Sequence, residues 1–346
     1  MRVSEAKAVA RGWVLAQGCR TPGFAGAYFA GSITWLPDGA PLPETSDVDV
    51  MLVIDGPLPA NKLGKFPYQG VLLEVTYLPQ AQVQSPEQVL GDYHLAGSFR
   101  VSNVIADPTG HLARLQAAVG QGFARRVWVE RRCAQATQRM MERLESIDPS
   151  APLQNQVMAW LFAAGGAPHV LLAAGLRNPT VRRRYVAVHD LLADYGLLDF
   201  YPPLLALLGC AHLRREQVAA QLPALEAAFG DAAGVVQSSY PFAADLSQQG
   251  RAVAIDGSRQ LIQSGWHREA IFWMVATYSR CQQVFAQDAP REMQARHTPG
   301  YHALLALLGI DAAGDLAQQG ERVRAFLPRL QAMTGAVLAA NPEIQA

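Results

Sequence analysis

Near His111 the hydrophobic pattern of this chain changes period. Before it, short apolar runs rich in β-branched residues alternate with turn residues; after it, apolar residues recur at helical spacing to the end. Side chains repeat every second residue on a strand and about every 3.6 residues on a helix. The sequence therefore predicts an α+β protein: an N-terminal mixed-sheet domain over residues 1–120, then an all-helical C-terminal domain over 121–346. A length of 346 residues fits that division, since single hydrophobic cores stop growing at roughly 250–300 residues.

Within the head, Ser4 to Gln17 reads as a helix and Phe24 to Ala30 as a buried strand. Ser32 to Ser46 contains Pro37, Gly39, Pro41 and Pro43 and must be an irregular connection. Val48 to Ile54 is a β-branched run closed by Asp55-Gly56, and Gly70 to Leu78 is a second such run. Ser85 to Tyr93 predicts a helix capped by Ser85 with Pro86 in its first turn, and Phe99 to Ala106 another strand. Asp107-Pro108-Thr109-Gly110 is a turn in which Asp107 caps the helix beginning near Leu112. Helices are expected at Arg126–Ser146, Thr180–Tyr195, Arg214–Phe229, Arg268–Phe285 and Ala317–Leu338. The stretch Gln154 to Leu176 has no charged residue and is long enough to span a bilayer. Gly165, Gly166, Pro168 and His169 interrupt it, which predicts two short buried helices instead.

The chemistry concentrates in Ser46-Asp47-Val48-Asp49-Val50. Asp47 and Asp49 project from one face of a strand while Val48 and Val50 point into a core. Two adjacent carboxylates repel each other unless a cation lies between them. Glu74 stands in the second apolar run between Leu73 and Val75, where a carboxylate is costly unless paired or ligated. If the two runs are neighbouring strands, the three acids form an all-oxygen cluster suited to magnesium. Gly31-Ser32 precedes the pair; glycine lets a backbone approach a phosphate closely and Ser32 adds a hydroxyl.

Gly31-Ser32, a spacer, Asp47-Val48-Asp49-Val50-Met51-Leu52-Val53 and a lone acid on a later strand together resemble the DNA polymerase β-like nucleotidyltransferase superfamily. A head of this size before a helical body is similar to the aminoglycoside-type antibiotic nucleotidyltransferases. The resemblance implies two magnesium ions, with Asp47 and Asp49 on both and Glu74 on the ion that activates the acceptor hydroxyl, Glu74 also being able to serve as general base. It implies transfer of a nucleoside monophosphate from a nucleoside triphosphate, ATP first among them, with release of pyrophosphate. It also implies a cationic or phenolic contact to the triphosphate from the helical body, for which Arg280 and Tyr278 are candidates. The chain departs from the pattern in its spacer, fourteen residues from Ser32 to Asp47, so the Pro-rich loop reshapes the mouth of the site or serves as a lid.

Other polar residues carry less. Asp92 and His94 either line an acceptor pocket or end a helix, the second being the stronger reading. Arg182-Arg183-Arg184 reads as a solvated helix face rather than a phosphate clamp, because consecutive residues diverge around a helix. The four cysteines, Cys19, Cys133, Cys210 and Cys281, have no metal-ligand spacing. Glu5, Lys7 and Arg11 stand where a secretion signal needs an apolar run, so a cytoplasmic protein is expected, with no membrane partner. Formal charge is zero, which disfavours a nucleic-acid acceptor because binding to polyphosphate is driven by counterion release. A small hydroxylated molecule is the expected acceptor, and Glu142, Glu145 and Asp190 are available to attract a polycationic one. The alternatives are a protein or RNA acceptor, or a regulatory nucleotide-binding module without catalysis.

Overall fold

The two β-branched runs of the head become neighbours at the centre of a five-stranded sheet. The computed structural model describes residues 1–237 and 239–346. Helix α1 (Val3–Ala16) and strand β1 (Phe24–Phe29) precede β2 (Val48–Ile54), β3 (Gly64–Tyr68) and β4 (Val71–Pro79). Helices α2 (Pro86–Gly91) and α3 (Ala96–Phe99), strand β5 (Val104–Ala106), and helices α4 (His111–Gly122) and α5 (Arg126–Glu145) follow. The strand order is β3-β4-β2-β1-β5; β2 and β4 run parallel and the other pairs antiparallel. The expected α+β class, with its mixed sheet in the N-terminal part, is observed.

Alternation along β2 divides its side chains between two cores. Val48, Val50 and Leu52 are buried with Val3, Ala6, Ala10 and Trp13 of α1. Val53 turns to the opposite face, where Tyr28, Leu90, Phe99 and Leu112 collect. Burying each such aliphatic side chain contributes about 1.5–3 kcal/mol. Slipping β2 by one residue would exchange Val48 and Val50 for Asp47 and Asp49 in the core, so packing fixes the register and with it the direction of both carboxylates.

Two features of the head differ from the sequence reading. Strand β3 was not expected, because Pro67 cannot donate to a ladder; it is tolerated because β3 lies at the sheet edge. Its link to β4 is the two-residue turn Gln69-Gly70, with φ of 47° and 80°, the positive values that tight hairpins require. The strand expected from Phe99 is confined to Val104–Ala106, since Phe99 ends α3. Side chains take the backbone's partners here: Gln116 Oε1 accepts from the amides of Asn103 and Val104 at 2.9 and 3.3 Å, and Asn103 Nδ2 donates to the Ser98 carbonyl at 2.9 Å.

The chain forms two compact units, residues 1–135 with 176–180 and 343–346, and residues 136–175 with 181–342. Their division falls at 135/136, inside α5. The second unit is helical: α6 (Leu153–Ala164), α7 (Ala167–Ala174), α8 (Arg184–Asp194), α9 (Tyr201–Leu207), α10 (Arg215–Ala219), α11 (Leu222–Val235), α12 (Gly257–Gln263), α13 (His267–Asp288), α14 (Arg291–Ala306) and α15 (Ala313–Ala340). The uncharged stretch is split at Gly165-Gly166 into α6 and α7 as expected, and 78% of its most apolar window is buried inside the fold. The helix expected over 214–229 is two helices, interrupted around Gln221 just before Pro223. Helix α13 is buried along most of its length, which makes it the core element of this unit.

Candidate metal centre

The parallel pairing of β2 with β4 sets Asp49 opposite Glu74. Asp47 stands just before β2 and two residues from Asp49, hence on the same face. One carboxylate oxygen from each of Asp47, Asp49 and Glu74 lies within 4.8 Å of the others. All three residues are half-buried, and the donor set is oxygen only, as hard divalent cations prefer. The two β-branched runs are neighbouring strands, so the three acids meet on one face.

Gly31 closes one side of this cluster. The last bond of β1 to β2, from the Ala30 amide to the Asp49 carbonyl at 3.0 Å, carries the following residue over the Asp49 side chain. Gly31 has φ of 62°, and a Cβ there would lie 1.8 Å from Asp49 Oδ2. No other residue fits. Gly31 and Ser32 open a short 3₁₀ turn (Gly31–Thr34), held by the Thr34 hydroxyl donating to the Gly31 carbonyl at 2.9 Å. The adjoining Pro-rich loop is strapped onto α1. The amides of Val3 and Ser4 donate to the carbonyls of Ala40 and Asp38 at 2.9 and 3.0 Å, and Lys7 Nζ donates to Asp38 Oδ1 at 2.8 Å. A lid motion of this loop would break those bonds.

One charged side chain at the cluster escaped the sequence reading. Lys65, on β3, pairs opposite Glu74 in the antiparallel ladder. Its ammonium lies 3.0 Å from Asp47 Oδ2 and donates to Glu74 Oε2, and the side chain is only 6% exposed. Its positive charge offsets part of the repulsion among the three carboxylates. A signal for it exists in the sequence: a two-residue turn at Gln69-Gly70 pairs Lys65 with Glu74, and Lys65 is one of three lysines in an arginine-rich chain.

No protein-family model matches the chain, and no curated protein matches it. The site therefore stands on its own geometry.

Arg280, on α13 in the second unit, is buried; its Nη1 donates to Asp245 Oδ2 at 3.2 Å and its guanidinium lies 4.3 Å from the centre of the Phe242 ring. Tyr278 is buried on the same helix and donates to the His297 carbonyl at 3.1 Å. Asp92 accepts from the amides of His94 and Leu95 at 2.8 and 3.0 Å and from Gln135 Nε2 at 3.0 Å, which makes it the helix-end residue of the stronger reading. Asp107 Oδ2 accepts from the Ala113 amide at 2.9 Å, capping α4 as expected. In the arginine triplet, Arg184 departs from the expectation of a solvated face. It is buried, donates to the carbonyls of Gly165 and Val181 at 2.6 and 2.8 Å, and lies over the Phe272 ring. Glu142, Glu145 and Asp190 face solvent.

Proposed function

We propose that this protein is a metal-dependent nucleotidyltransferase that moves a nucleoside monophosphate from a nucleoside triphosphate, ATP first, to a hydroxyl of a small-molecule acceptor. The observation that carries the reading is the trio itself: Asp47 and Asp49 at one end of β2, Glu74 beside them on parallel β4, with oxygens within 4.8 Å of one another and Gly31 against Asp49. The donor set and the Gly31 cradle fit magnesium. When bound, divalent metal neutralises the triphosphate and stabilises the attacking and leaving oxygens of an in-line displacement.

The chain's own residues supply the rest. The strands hold Asp47 and Asp49 on a packed scaffold, so ligand positions are set before substrate arrives. Gly31 leaves the backbone beside Asp49 bare, and Ser32 offers a hydroxyl to a phosphate oxygen. Glu74 is placed to take the acceptor's proton, since its oxygen shares the cluster with both aspartates. Attack of that hydroxyl at the α-phosphorus forms one P–O bond and breaks another, releasing pyrophosphate. Zero net charge supports a small acceptor over a polynucleotide, and the cytoplasm is where triphosphates are abundant.

The test is transfer of α-phosphate label from each triphosphate to a panel of aminoglycosides and other polyhydroxylated compounds, with pyrophosphate release measured in parallel. Label transfer that needs magnesium and disappears in Asp49→Asn is expected. Substantial turnover by Asp49→Asn would contradict the assignment.

A further inference from the structure

Three carboxylates and one buried ammonium leave two formal negative charges in the cluster, the charge of one divalent cation. We propose that Lys65 is a resident cation of this centre, standing in for one of the two ions that three carboxylates alone would take. This rests on the metal-centre reading above and deepens it. Lys65 bridges Asp47 and Glu74, reaching Asp47 Oδ2 at 3.0 Å and bonding Glu74 Oε2.

Geometry supports a built arrangement rather than a stray surface contact. Lys65 and Glu74 are ladder partners, so the pairing is set by the hairpin and not by a flexible stem. The Lys65 side chain is 6% exposed against 22% for Glu74. An ammonium taken that far from water is costly unless paired, and two carboxylates supply the compensation. Phe66, its neighbour, packs against Trp13 on the other face with ring centres 5.3 Å apart, which holds Lys65 toward the carboxylates. Lys65 thus acts as a positioning residue: it keeps Asp47 and Glu74 converged without metal and sets how many ions enter.

The experiment is equilibrium dialysis and electron paramagnetic resonance with Mn²⁺ alone, on the full chain and on Lys65→Met, Lys65→Arg and Asp49→Asn. Wild type and Lys65→Arg are expected to bind one ion per chain. Lys65→Met is expected to bind a second ion, with the first held about tenfold more tightly because a neighbouring positive charge is gone. Thermal melting guards against misfolding: Lys65→Met should melt lower than wild type in chelator and recover with Mn²⁺. Mn²⁺ binding lost in Asp49→Asn yet unchanged in Lys65→Met would overturn the role of Lys65 and leave the metal centre standing. Binding of no ion by wild type and every variant would overturn both.

Discussion

A methyl group at residue 31 would enter the space of Asp49 Oδ2, and φ there is 62°. Gly31→Ala is therefore expected to displace the Asp49 carboxylate and to cost about 1–2 kcal/mol from the left-handed backbone alone. Mn²⁺ affinity should fall at least about 10–100-fold, the loss seen when even an outer-shell partner of a metal is removed; calorimetry with Mn²⁺ checks it. The thiols give a second residue-scale expectation. Burial pushes the Cys133 thiol up to about 12 and holds Cys210 and Cys281 far above the ordinary thiol range. Near pH 8 only Cys19 should react with a disulfide reagent in the folded chain, the other three reacting after denaturation; rapid titration of four thiols in the native protein would contradict the burial. At this scale Asp47, Asp49, Glu74 and Gly31 were legible because alternation and a lone acid among aliphatics leave few options. Lys65 was not, because its partner is defined by a hairpin the sequence reading did not contain.

Elements with a single consistent pattern were readable, and those whose pattern is overridden by packing or proline were not. Strands β2 and β4 are rich in β-branched and other apolar residues and match their expected positions within about a residue, while β3 carries Pro67, which reads locally as a break, and is held by its ladder with β4 and by Phe66 against Trp13. Helix α14 runs through Pro299, and α9 begins with Pro202-Pro203; neither was expected, since each reads locally as a break. The Gln69-Gly70 turn matters to the site as well as to the strand. Gly70 sits at φ of 80°, so Gly70→Val should destabilise the hairpin, loosen the pairing of Lys65 with Glu74 and lower the melting temperature. By contrast, Asp107→Ala removes only the cap on α4 and should cost about 1 kcal/mol, with label transfer unchanged. Denaturant titration of both variants separates the two effects. A loss of transfer in Asp107→Ala would mean that this turn touches substrate.

For the whole molecule, charge and division matter more than any one contact. Equal numbers of acidic and basic residues, 29 of each, leave no surplus to release counterions from a polynucleotide. Binding to duplex DNA or single-stranded RNA at about 0.15 M salt should be no tighter than the weak end of non-specific association, about 10⁻⁴ M. Micromolar binding with a steep salt dependence would instead point to a nucleic-acid acceptor. The change from strand to helical period predicted a head and a body. The 135/136 division was not legible, because α5 is an unbroken amphipathic helix and nothing in its sequence marks a boundary. The segments 176–180 and 343–346, which belong to the first unit, are likewise invisible to a reading of local pattern.

On the proposed reading, Asp47, Asp49 and Glu74 hold divalent metal for a triphosphate. Calorimetric titration of the chain with a panel of nucleoside triphosphates, in magnesium and in chelator and alongside Asp49→Asn, tests it most directly. Saturable binding that requires magnesium and is lost in Asp49→Asn is the expected result. Triphosphate binding that persists unchanged in chelator and in Asp49→Asn, or binding of no triphosphate at all, would contradict it.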